Sequence, residues 1–81
     1  SQPSRAPSTV LTELFGFTPA EAKLALELAN GNTLVEACER LHISRNTGKS
    51  QLSAIFSKTG VARQTQLLQL ILRSVAPMGE Q

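Results

Sequence analysis

Tryptophan and tyrosine are absent from this chain of 81 residues, and cysteine and histidine occur once each. The single cysteine, Cys38, excludes an internal disulfide and any cysteine-rich metal centre, so the fold must rest on packing alone. With His42 as the only imidazole, and with no acid pair, nucleophile–base set or glycine-rich phosphate loop, an enzyme is the weakest functional reading. No metal and no cofactor is expected. The longest apolar run, LLQLIL at 67–72, is interrupted by Gln69 and far too short to span a bilayer. No signal segment is visible, so the expectation is a soluble, cytoplasmic protein without a membrane partner.

The most telling scarcity is of carboxylates. From Arg40 to Gly79 there is none, while Arg40, Arg45, Lys49, Lys58, Arg63 and Arg73 all fall there; five of the six acids lie between Glu13 and Glu39. A net charge of +2 is modest, but its distribution is lopsided. An acid-free second half suits a surface that faces a polyanion. A solvated face without a partner would look the same.

What is present is helical punctuation. No stretch alternates with a period of two for long enough to be a strand, so the class is all-α, with four helices. SQPSRAPST is Ser/Pro-rich and aperiodic, so residues 1–10 read as a linker, with a further domain expected upstream in a longer protein. Residues 76–81 read as a flexible tail, leaving a domain at 11–75. Thr18-Pro19-Ala20-Glu21 has the form of a capping box with proline at the first helical position, and Phe17 before it could staple onto Ala22. That helix should stop at Asn30-Gly31. Thr33 to Glu36 forms a second box, opening a short helix with Leu34, Ala37, Cys38 and Leu41 inward. After His42 and Ile43, Ser44 caps a third helix, which turns Gly48, Leu52, Ile55 and Phe56 to the core and ends near Gly60. A fourth helix follows from about 62 to 75.

Two short helices joined by a tight turn make a helix-turn-helix, whose second member lies in the major groove of double-stranded DNA. The outward face of that member, at about 45–58, would present Arg45, Asn46, Lys49, Ser50 and Ser53, suited to phosphates or base edges and free of acid. A generic helical packing with a polar outer face is the competing reading.

The segments FTPAEAKLALELANG and TLVEACERLHISRNTGKSQLSAIFSKTGVARQTQLLQLIL resemble the C-terminal helix-turn-helix domain of LuxR-type (LuxR/GerE) transcriptional regulators over about residues 11–72, most specifically in TPAE, ISRNT and IFSKTGVARQTQL. The resemblance implies a dimeric DNA-binding domain attached to a sensing or receiver domain. It implies base contacts from Lys49, Ser50 and Ser53, with Arg45 and Asn46 near the groove entrance, and phosphate contacts from Thr33, Thr47 and Lys58.

Three positions depart from that pattern. Ser53 replaces a residue that is often basic. His42 stands in the turn where glycine is usual; a positive φ there would be tolerable for histidine. Gly48 replaces a valine, and an interior glycine costs a helix about 0.5–1 kcal/mol relative to alanine. Cys38, where the family usually has alanine, could face Gly48 as an exchanged large/small pair. The alternative is a loosened reading helix, in which Gly48→Val would raise the melting temperature.

In the last helix Leu67, Leu68, Leu70, Ile71, Leu72 and Val75 span about 200°, whereas one buried stripe needs about 100°. A homodimer on a palindromic site through Leu67, Leu70 and Ile71 would cover the excess; burial on two sides within one domain would do so as well. The alternative function is a protein-interaction module that keeps the fold without binding DNA.

Overall fold

The computed structural model describes residues 6–79, and among them every regular element is a helix. There are five, not four: α1 Pro7–Phe15, α2 Pro19–Ala29, α3 Leu34–Leu41, α4 Arg45–Thr59 and α5 Gln64–Gly79. The additional helix, α1, begins inside the stretch read as a linker; residues 1–5 lie outside the described residues. Proline at its first turn presets φ, and Gly16 (φ 72°) closes it with an N–H bonded to the Thr12 carbonyl at 2.9 Å. No side chain caps its start. A helix of nine residues is marginal by itself, and this one is held by Val10 and Leu11, which bury against the rest of the protein. At the other end α5 continues to Gly79, past the point at which the sequence pattern places a tail.

The other starts follow their local signals. Thr18 and Glu21 close a complete capping box on α2, and Thr33 and Glu36 close another on α3. Phe17 and Ala22 are both buried, as a staple requires. Phe17 also packs its ring against Phe15 at a centroid distance of 5.3 Å. Ser44 caps α4 by accepting from the Thr47 N–H at 3.1 Å, and Gly60 (φ 78°) ends it.

α2 is the central helix: α1, α3, α4 and α5 all pack on it, α1 also meets α5, and α3 meets α4. Leu11, Leu24, Leu28, Ile55, Leu67 and Ile71 are fully buried and form the core. Each contributes roughly 1.5–3 kcal/mol by leaving water. This overturns the dimer assignment for two residues. Leu67 and Ile71 face the interior of the protein's own fold, and Leu70 is half-buried. The apolar excess of α5 is covered from two sides by α2 and by α1, the helix that the sequence pattern did not announce. Among the α5 side chains whose burial is described, Leu72 is the one large apolar residue left largely exposed, at 51%. No helix of the described residues is long and apolar enough to cross a membrane.

Candidate nucleic-acid interface

α3 and α4 are joined by His42, Ile43 and Ser44. His42 lies in the left-handed region (φ 59°, ψ 44°), the only non-glycine among the described residues to do so. Its N–H and that of Ile43 return to the carbonyls of Glu39 and Cys38, the latter at 3.0 Å. These bonds satisfy two carbonyls in the last turn of α3 and end the helix there. The His42 ring is exposed.

Arg45, Asn46, Lys49, Ser50 and Ser53 are all exposed. At spacings of one, three and four along α4 they share its outward side. None of the five side chains has a hydrogen bond or ion pair within the protein among the described residues, so each can turn outward without breaking a bond. The helix carries no acid. Ser57, also exposed and four residues beyond Ser53, extends the same face; the sequence reading did not single it out, although the helical repeat would have placed it there.

At the helix starts the hydroxyls are already oriented. Thr33 Oγ1 accepts from the Glu36 N–H at 3.1 Å, and Thr47 Oγ1 accepts from Ser44 Oγ at 3.0 Å. Each exposed threonine therefore keeps its own O–H proton to donate outward. The amide dipoles of α3 and α4 add partial positive charge at these ends.

Lys58 does not belong with them. Its Nζ donates to Glu21 Oε1 at 2.6 Å and to the Gly16 carbonyl at 3.1 Å. Glu21 is only 7% exposed, and a carboxylate taken so far out of water needs a counter-charge. Burial by itself would raise its pKa. The Lys58 ammonium and the Thr18 backbone N–H outweigh that effect and hold it below its ordinary value. The expected phosphate ligand is thus a structural tie from the last turn of α4 to α2 and to the end of α1.

Gly48 is buried in the first half of α4, and its φ is not positive. The backbone does not require glycine there; space does. A Cβ built on it would overlap Cys38 Sγ and lie 3.4 Å from Leu34 Cδ1 and 3.9 Å from Ile43 Cδ1. Cys38 is 2% exposed, so the large/small exchange is what the geometry contains. A valine there meets the thiol, so Gly48→Val would have to displace Cys38 to be accommodated.

Two open grooves, of about 310 and 380 Å³, flank the start of α2 and share Pro19 and Lys23. Neither is lined by histidine or cysteine. Comparison with family models, curated proteins and solved structures yields no match.

Proposed function

We propose that this chain reads double-stranded DNA as a LuxR-type helix-turn-helix domain of a transcription regulator, with α4 in the major groove. The observation that carries the reading is the outward side of α4: five polar or cationic side chains, without partners among the described residues, on a helix without a carboxylate. Lys49 can donate to a guanine O6 or N7, and Asn46 offers the paired donor and acceptor that match an adenine edge. Arg45 can reach a phosphate or a guanine, and the serines can reach bases directly or through water. Thr33 and Thr47 donate to phosphates, which set register rather than sequence. A sensing or receiver domain in a longer protein would control when this surface meets DNA.

The regulator reading includes a pair of chains on a palindromic site. The exposed residues Thr65, Gln69, Leu72 and Ala76 recur on α5 at spacings of four, three and four, the repeat of a helix–helix seam. That uncharged line, rather than Leu67 or Ile71, is where a second α5 would sit.

A protein-interaction module remains the second reading. It is favoured by one fact: with Lys58 bound to Glu21, only Arg45 and Lys49 supply positive charge to the outward side of α4. Salt dependence separates the two. Duplex binding is titrated between 50 and 200 mM salt for the parent and Arg45→Ala. A DNA reader loses affinity steeply with salt, and the variant lowers the slope by about one. Absence of duplex affinity in dilute buffer would leave the interaction module standing.

A further inference from the structure

We infer that Cys38 is a positioning residue for the reading face: its thiol fills the space of a side chain at position 48 and thereby sets how α4 crosses α3. The inference rests on the DNA-binding reading. Gly48 lies between Asn46 and Lys49, within the first turns of α4, where the exposed base-facing residues are concentrated. Across the contact, α3 begins at Leu34, directly after its cap Thr33.

The proposed phosphate donor Thr33 and the proposed base-reading residues therefore belong to two helices whose separation is governed by one tight contact. Gly48 meets Cys38 there, with Leu34 and Ile43 closing the sides. Only hydrogen fits at position 48 while the thiol is in place. A methyl added at 48 must displace the thiol or lift the start of α4 from α3. Since both partners are buried in an interior packed at crystal-like density, the lift is transmitted to Asn46, Lys49 and Ser50. Sequence-specific binding needs phosphate and base contacts in one register. Non-specific attraction depends mainly on charge, which neither residue alters.

The experiment compares the parent, Gly48→Ala, Cys38→Ala and the double variant Cys38→Ala/Gly48→Ala. The preferred duplex is selected by the parent from random sequences. Affinity for it and for an arbitrary duplex of equal length is measured at one salt concentration, with urea unfolding confirming that each variant is folded. Gly48→Ala should lose about tenfold in the ratio of specific to non-specific affinity, the order of one good base contact. Its non-specific affinity and salt slope should stay unchanged. The double variant, which returns the displaced volume, should recover the ratio to within about threefold of the parent.

A folded Gly48→Ala with the parental ratio overturns the inference, as does a double variant no more selective than Gly48→Ala. If Gly48→Ala is unfolded, the double variant decides: folding and selecting the parental sequence supports the inference, and folding without selectivity overturns it. A parent without duplex affinity removes the DNA reading itself, an outcome distinct from all of these.

Discussion

At the scale of single residues, two positions carry measurable strain or compensation. His42 holds a left-handed conformation that costs an L-residue with a Cβ roughly 1–2 kcal/mol. Glycine removes that cost but gains entropy in the unfolded chain. His42→Gly should therefore stabilise the protein by a net amount of about 0.5–1 kcal/mol in urea unfolding. A loss of stability would mean that the imidazole makes a contribution beyond the turn. Glu21 supplies a pH dependence with a definite sign. Its carboxyl titrates below its ordinary value of 4.5 in the folded protein, so the unfolded chain binds the proton more readily. The resulting stability is complete above the ordinary value and is lost as pH falls through the lower, folded one. Glu21→Gln should abolish this acid limb and cost roughly 1–3 kcal/mol at neutral pH. Lys58→Met should cost more, because it strands a buried carboxylate. Stability measured between pH 7 and pH 3 orders the two variants.

At the scale of elements, the contrast is between helices announced by their ends and one that is not. The starts of α2, α3 and α4 are written in four residues each, Thr18 to Glu21, Thr33 to Glu36 and Ser44 to Thr47. A capping hydrogen bond is complete within that span, so the sequence alone reveals it. α1 has no such signal: Ser8 and Thr9 are indifferent helix formers, and no side chain caps it. Its existence is a tertiary fact. Leu11 is fully buried whereas Leu14 is 58% exposed. Leu11→Ala should cost about 2–5 kcal/mol in thermal or urea unfolding, and Leu14→Ala should stay within about 0.5 kcal/mol of the parent. Equal, small effects at both positions would show that α1 does not dock.

For the whole molecule, α1 changes the meaning of α5. Its apolar arc is too wide for one neighbour, and the structure supplies two neighbours within the same chain. Leu67→Lys should consequently unfold the protein by placing a charge in the core, which makes it unsuitable for probing assembly. Leu72→Lys should leave the fold intact, since that side chain is half in water already. If the proposed pair forms through α5, sedimentation velocity on the operator duplex will show two copies of the parent bound and one of Leu72→Lys. A parent that binds singly at every concentration removes the pair.

The division between sequence and structure follows the range of the interactions. Helix class, the three capped starts, the left-handed turn at His42 and the acid-free outward side of α4 depend on neighbours within one or two turns, and these the chain itself determined. The exchange of bulk between Cys38 and Gly48 was also readable, but only against the LuxR-type pattern that the chain resembles, from which these two residues, ten positions apart, depart in opposite directions of size. Three matters were decided only by the tertiary structure: the helix at Pro7–Phe15, the capture of Lys58 by Glu21, and the inward placement of Leu67 and Ile71. The Lys58 tie spans 37 residues, and burial on two sides needs a partner helix from the far end of the chain. Periodicity states that a face is apolar or charged; only the packed fold determines what meets it.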